Sequence, residues 1–270
     1  MTFANRPGGP GSTPEEGAAF ARLYDLDLAD DPGDLDLYLA LAARAGGPII
    51  ELGAGTGRLA VPLAAAGHGV TAVDNDGAML DRTRRRVRDA GPAVADRLEI
   101  VEADLLELEP AAEPAHRLAF IGLNSLFLLA ERDAQRRAFR AMARHLAPGG
   151  LAVADVWLPD ADDLARFDGR LILEYVRTDP ETGNLVTKSA AAQHDATNGT
   201  VELTTIFEEG APGSAPIRWI RRDHLRLVSP DELRGFAEEA GLTVEVIAGG
   251  YDLQPLGPGD DRAIVVAVQP

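Results

Sequence analysis

Glu51, Gly53, Gly55 and Gly57 occupy alternate positions in the run IIELGAGTGRLAVPL, residues 49–63. Three glycines at this spacing strip a turn of side chains, so the backbone itself becomes the wall of a site. A dinucleotide fingerprint would need a glycine where Arg58 stands, and a phosphate-binding P-loop would need a lysine that the run lacks. Glu51 points the same way, because a carboxylate repels a phosphate and accepts a hydrogen bond from an ammonium group. A nucleoside that carries an amino acid fits both demands. Ala54 and Thr56 complete the turn, and Arg58 is read either as a ligand contact or as a solvated residue of the first helical turn. The plain alternative for the glycines is a strand-to-helix turn, which calls for one of them rather than three.

Two acids follow at the tips of later apolar runs. Asp74 in VDNDGAML, residues 73–80, can accept from both hydroxyls of a vicinal diol and would clash with a 2′-phosphate. Asp104 lies in EADL, residues 102–105, and LNSL follows at 123–126. As ordinary structure, Asp74 and Asp104 would be helix caps and Asn124 a strand-end amide. Taken in order, the glycine run and these segments resemble the motifs of class I S-adenosylmethionine-dependent methyltransferases, over roughly residues 20 to 158. That resemblance implies that Asp74, with Asn75 beside it, holds the ribose hydroxyls and that Met79 packs on the adenine. It also implies that Asp104 accepts from the adenine amino group, that the Leu105 amide reaches the ring, and that Leu123 and Asn124 lie near the transferred methyl. Tyr24, in Leu23-Tyr24-Asp25, is similar to a tyrosine that closes over the cofactor and meets the acceptor. The chain departs from the family's usual pattern at Arg117-Leu118-Ala119-Phe120, where an acid is common, and no Asn/Asp-Pro-Pro-Tyr/Phe motif follows. Nucleobase and glutamine N-methylation of that type are therefore not implied.

One of five histidines could serve as a base. His68 and His116 fall in connecting segments, and His145 at a helix C-terminus, where imidazolium meets the dipole. His194 and His224 fall in a β-rich segment; His224, flanked by Arg222 and Asp223, is the candidate catalytic and acceptor-binding residue, with a paired sheet histidine as the alternative. Tyr38 is read as core and Tyr251 as surface packing.

The elements that must position these residues alternate along the chain. Helical periodicity at 15–46, broken at Asp31-Pro32-Gly33, precedes strands expected at 48–53, 69–74, 97–102, 117–123 and 149–156. Helices are expected at 57–66, 77–90 and 132–146. This is the pattern of a doubly wound, Rossmann-like, mostly parallel α/β sheet. From Leu171 the chain turns to antiparallel β, expected to form a lid over the acceptor. Ser229-Pro230-Asp231-Glu232 then opens a helix, and strands at 242–248 and 262–268 close the sheet as a hairpin. The expected division is a flexible tail at 1–17, a core at 18–170, the insert at 171–228 and a closing segment at 229–270.

Composition bounds the function. With 43 acids against 26 bases, the net charge of −17 repels nucleic acid. Lys188 is the only lysine. The arginines at 82, 84, 85, 86 and 88 read as a solvated helix face. Without cysteine there is no disulfide, thiolate metal site or cysteine nucleophile, and no metal is expected. No apolar run suggests a membrane span, and the first residues form neither a secretory signal nor a transit peptide, so a cytoplasmic protein is expected. The expected activity is methyl transfer from S-adenosylmethionine, leaving S-adenosylhomocysteine, to an O or N of a small-molecule acceptor, by a monomer or homodimer. A non-catalytic nucleoside-binding partner protein and a nicotinamide-dependent oxidoreductase are the alternatives.

Overall fold

The computed structural model describes residues 13–30, 32–109, 114–211 and 213–270. Most of the expected tail lies outside them. Its last residues are not tail: Thr13 caps helix α1, Pro14–Asp27, by accepting from the Glu16 N–H while Glu16 reaches back to Thr13, and Pro14 occupies the first turn. A reciprocal cap satisfies two of the free amides that begin any helix.

The chain divides into two compact units, one made of the residues up to Leu158 and from Val228, the other of Pro159–Leu227. The insert therefore begins about twelve residues earlier than the change in β-pattern suggests. A short capped helix, Ala161–Arg166, and a bridge from Asp168 to Gln193 tie its first residues to the later strands.

In the first unit α2, Leu35–Ala45, precedes β1, Ile49–Leu52. Then come α3, Ala60–Ala65; β2, Val70–Asp74; α4, Gly77–Ala90; α5, Pro92–Ala95; β3, Leu98–Glu102; β4, His116–Ile121; α6, Arg132–His145; and β5, Leu146–Trp157. After α7, Ala161–Arg166, the antiparallel strands β6, Ile172–Thr178; β7, Leu185–Asp195; β8, Thr200–Gly210; and β9, Ile217–Arg226 form the second unit. The first unit is completed by α8, Pro230–Glu239, β10, Thr243–Ala248, and β11, Arg262–Val268. Its seven strands run in the order β10-β11-β5-β4-β1-β2-β3, with β11 antiparallel to both neighbours. The order reverses between β1 and β4, the switch point where open α/β sheets bind ligands at the C-terminal strand ends.

The central strands are apolar on both faces because helices cover both, and β1 is buried throughout. On one face α2 lays Leu37, Tyr38 and Leu41 over Ile49, Phe120 and Val153, and the Tyr38 and Phe120 rings meet at 4.3 Å. Arg117, in place of the expected acid, donates to the Ala45 and Pro148 carbonyls, a bond that secures the N-terminal end of the sheet.

The second unit is a four-stranded antiparallel sheet in the order β6-β7-β8-β9. On β8 burial alternates strictly, with Val201, Leu203, Thr205, Phe207 and Glu209 on the covered face. That period of two is what the sequence alternation required.

Helix α3 begins later than expected because residues 53–57 are held as a turn. Gly53, Gly55 and Gly57 all have positive φ, at 82°, 57° and 77°. At Gly57 a side chain is also excluded by space, since a Cβ there would lie 2.8 Å from Thr83 Cγ2 of α4. Gly57→Ala is expected to cost about 2–4 kcal/mol, from left-handed backbone strain plus overpacking against α4. Denaturant unfolding tests this, and an unchanged midpoint would show that α4 can stand away from the turn.

Candidate active site

The glycine turn is held from two sides. Gly53 and Ala54 N–H donate to the Val73 carbonyl, and the Gly55 N–H donates to Asp74 Oδ2 at 2.8 Å. Thr83 Oγ1 donates to the Gly55 carbonyl at 2.8 Å. Asp74 Oδ1 accepts from the Asp76 N–H at 2.9 Å, and Asp76 in turn caps α4 through the Ala78 and Met79 amides. Each Asp74 oxygen thus accepts from a backbone N–H. The sequence placed Asp74 at a ligand; the structure adds that the same carboxylate shapes the turn. On the β3 side Asn75 and Asp104 are exposed and Leu105 half-buried, with Asp104 Oδ1 accepting from the Leu106 N–H.

Helix α1 lies across this turn. A Cβ on Gly55 would come within 4.0 Å of the Tyr24 hydroxyl, so the tyrosine stands over the glycines. Tyr24, Met79 and Leu123 pack together with Ala21 and Leu28, and Met79 is only 2% exposed. Met79 is therefore covered by α1 side chains, a packing that the resemblance to an adenine contact did not foreshadow. Asp25, which the sequence reading passed over, accepts from Thr56 Oγ1 at 2.6 Å, Arg82 Nε at 2.5 Å and Arg86 at 2.8 Å. This corrects the reading of the arginine patch as solvated: Arg82 and Arg86 are ligated by Asp25, and their attraction clamps α1 to α4 and to the turn.

Glu51 sits at the end of β1, buried, with Oε2 lacking any hydrogen-bond partner. Burial pushes its carboxyl well above the ordinary range, while the nearby Arg58 guanidinium opposes the rise. Arg58 is not the solvated residue that one reading allowed. Its guanidinium binds Asp34 through two bonds of 2.6 and 2.7 Å, and its Nε is buried without a partner. An orphaned acceptor at Glu51 and an orphaned donor at Arg58 fit the ammonium and carboxylate of a zwitterionic amino acid. The residues present thus match an amino-acid-bearing nucleoside.

At the end of β4 the chain bends through Leu123 and Asn124, with φ of 44° and 64°. Two successive non-glycine residues in the left-handed region are costly and persist only where the surroundings hold them. Here the Asn124 N–H donates to the Asp155 carbonyl at 3.0 Å, and the Trp157 N–H donates to Asn124 Oδ1 at 2.6 Å. The carboxamide oxygen of Asn124 is thus engaged as a strand-end group, and its NH₂ is what a ligand could meet. Asp155, also absent from the sequence reading, is fully buried, accepts from Arg262 at 2.5 Å, and has Tyr251 Oη 3.5 Å away. Tyr251 is accordingly a half-buried partner of an internal ion pair, not surface packing.

His224 belongs to the second unit, half exposed on β9 and hydrogen-bonded through Nδ1 to Glu202. It lies directly opposite Glu202 in the register, on the face away from buried Arg221 and Leu225. That is the geometry of a paired sheet histidine. His145, at the end of α6, uses Nδ1 on the Ala141 carbonyl at 2.8 Å, and His116 lies against the His145 carbonyl; burial lowers the His116 pKa.

A glycine turn at the switch point of a mostly parallel sheet, with acids at the ends of β1 and β2, is the frame on which open α/β folds bind nucleosides. Residues 49–150 match the family model described as a methyltransferase domain. The cypemycin N-terminal methyltransferase of a Streptomyces species is 27% identical over 225 residues, 82% of each chain. Among solved structures, the CcbJ methyltransferase from Streptomyces caelestis is 26% identical with a TM-score of 0.69, covering 89% of this chain and 91% of that one. DesVI of Streptomyces venezuelae shares the fold, with a TM-score of 0.72 at 18% identity over 93% and 98% of the two chains. The chain is a class I S-adenosylmethionine-dependent methyltransferase, and S-adenosylmethionine is its methyl donor. Among the described residues no helix is long and apolar enough to cross a membrane.

If Glu51 receives the ligand's ammonium, the burial of its carboxyl makes that binding pH-dependent. Its raised pKa keeps the carboxyl neutral in the free protein as pH falls, whereas pairing with an ammonium needs the carboxylate, so binding releases a proton. Affinity for S-adenosylhomocysteine should rise with pH and level off above the Glu51 pKa of the free protein. Calorimetry in two buffers of different ionisation enthalpy measures the released proton; Glu51→Gln should abolish this contribution, and an unaltered release would assign it elsewhere.

Proposed function

We propose that the acceptor is a small molecule and that the methylated atom is an amine nitrogen. The observation that carries methyl transfer in this reading is the unpartnered Oε2 of buried Glu51 beside a glycine turn clamped by Asp74. Tyr24, Gly53, Gly55 and Asp74 would hold the nucleoside, Asp104 and Leu105 the base, and Glu51 and Arg58 the amino-acid end. Bound there, the donor supplies an electrophilic methyl on a sulfonium. What the chain must add is alignment of the nucleophile and exclusion of water. Leu123 and Asn124, fixed to β5 in a strained bend, are rigid enough to serve that alignment.

The choice of nitrogen rests on the available bases and on the similar cypemycin enzyme, whose name specifies an N-terminal methyl acceptor. An oxygen acceptor must lose a proton as it reacts, whereas an amine need only arrive neutral. The buried carboxylates Asp34 and Asp155 are held by Arg58 and Arg262, and His224 pairs with Glu202. The arginine pairing leaves neither buried carboxylate as a strong base, which favours an acceptor that arrives already neutral. Acceptor contacts are assigned to Tyr24 and Asn124 of the first unit. The acidic chain, with a net charge of −17, suits a cytoplasmic enzyme without a nucleic-acid substrate, acting as a monomer or homodimer.

A panel of matched amines and alcohols with labelled methyl donor tests the acceptor class, and turnover confined to hydroxyls would overturn it. In the same assay His224→Ala should leave S-adenosylhomocysteine affinity unchanged and lower methyl transfer less than about ten-fold. A general base would cost roughly 10²–10⁴-fold, and a loss of that size would return His224 to the reacting centre.

A further inference from the structure

Asp34 stands where helix α2 begins, a position where aspartate normally caps the helix through its side chain. Here the side chain makes no capping bond. It is fully buried, and both of its oxygens go to Arg58, at 2.6 and 2.7 Å. Arg58 exerts the largest electrostatic pull on Glu51, yet no hydrogen bond joins them, and Glu51 Oε2 is left without a donor. A guanidinium has five N–H groups and binds a carboxylate best through two parallel bonds. An arginine free to choose would therefore close on the buried glutamate.

We propose that Asp34 is a positioning residue for cofactor recognition: by occupying the end of the Arg58 guanidinium, it prevents an Arg58–Glu51 salt bridge and keeps the Glu51 carboxylate open for the cofactor's ammonium. The inference rests on the reading that Glu51 and Arg58 receive the amino-acid end of the ligand. Asp34 touches no ligand atom in this arrangement and acts only through its neighbour. Because its side chain does not cap α2, replacing it removes no helix cap. The cost falls on the Arg58 pair alone.

The readout is a ratio of two affinities. S-Adenosylhomocysteine carries the amino-acid end, and 5′-methylthioadenosine keeps the nucleoside but lacks it. Asp34→Asn should weaken the first by about 10- to 100-fold, the size expected when a buried charged group loses its ligand, and leave the second unchanged. A general loosening of the site would weaken both ligands together and would overturn the proposal. In the double variant Asp34→Asn/Arg58→Met, binding should match that of Arg58→Met alone, because without the guanidinium there is nothing for Asp34 to restrain. Full additivity of the two losses would also overturn it. Should Asp34→Asn not fold, Arg58→Lys carries the same expectation, since an ammonium keeps the charge but cannot bind Asp34 through a fork. Glu51→Gln separates the proposal from its premise: if it leaves the preference for S-adenosylhomocysteine over 5′-methylthioadenosine intact, the assignment of the ammonium to Glu51 fails. If that preference falls with Glu51→Gln but not with Asp34→Asn or Arg58→Lys, only the role of Asp34 fails.

Discussion

Gly55 is gripped through both of its backbone groups, its N–H by Asp74 from the tip of β2 and its carbonyl by Thr83 from α4. The turn cannot move without breaking one of these bonds, and α4 cannot move without abandoning Thr83. Absence of a side chain at Gly57 is what lets α4 come so near, because its Cβ would meet the Thr83 methyl. From this contact the rest of the edge follows. Asp74 is fixed in orientation, Asp76 caps α4 beside it, and α1 can be drawn down over the turn through Asp25. A strand end, a turn and two helices are thereby locked into one frame. Preorganisation of this kind is how a fold holds a flexible ligand without reordering itself on binding.

Behind that frame lies a layer of buried charge. Glu51, Asp34 and Asp155 are all nearly or fully inaccessible, facing the guanidinium groups of Arg58 and Arg262. Moving an ion out of water costs several kcal/mol unless partners replace the lost hydration, so such groups persist where they are paired or where a ligand completes them. Asp34 and Asp155 have their arginines. Glu51 alone among these three acids keeps an oxygen without a donor, and it is the one next to the glycine turn. The imbalance amounts to an invitation to a cation. Two of the three acids are paired with arginines within the protein, and burial raises the carboxyl pKa of the third.

The second unit follows a different logic. Its sheet has one covered face on which even charged groups are paired, Lys188 with Glu174 and Arg221 with Asp223, and another that carries His224 with Glu202. Exposed Leu173, Val176 and Ile220 contrast with the buried strands of the first unit. Antiparallel strands joined by short turns form such a sheet from local contacts, without the crossover helices that the parallel sheet needs.

Much of this was legible in the chain itself. Spacing of Glu51, Gly53, Gly55 and Gly57 predicted a backbone-walled site and disfavoured a phosphate, and the alternation of apolar runs with helical periodicity predicted the parallel sheet and its closing hairpin, because both are local properties of period and turn chemistry. Asp25, Asp34, Thr83 and Asp155 were not legible as parts of the site. Each looks in sequence like a helix-end or solvent-facing polar residue, and its partner is distant along the chain: Arg82 for Asp25, Arg58 for Asp34, Gly55 for Thr83, Arg262 for Asp155. The same distance misled the reading of Arg82 and Arg86 as solvated and of Tyr251 as surface. Sequence determines which residues can ionise, cap or turn, since those are properties of single side chains and short windows. Which charge meets which, and which oxygen is left without a donor, is decided only when helices from separate segments close over the sheet and exclude the water that would otherwise satisfy them all.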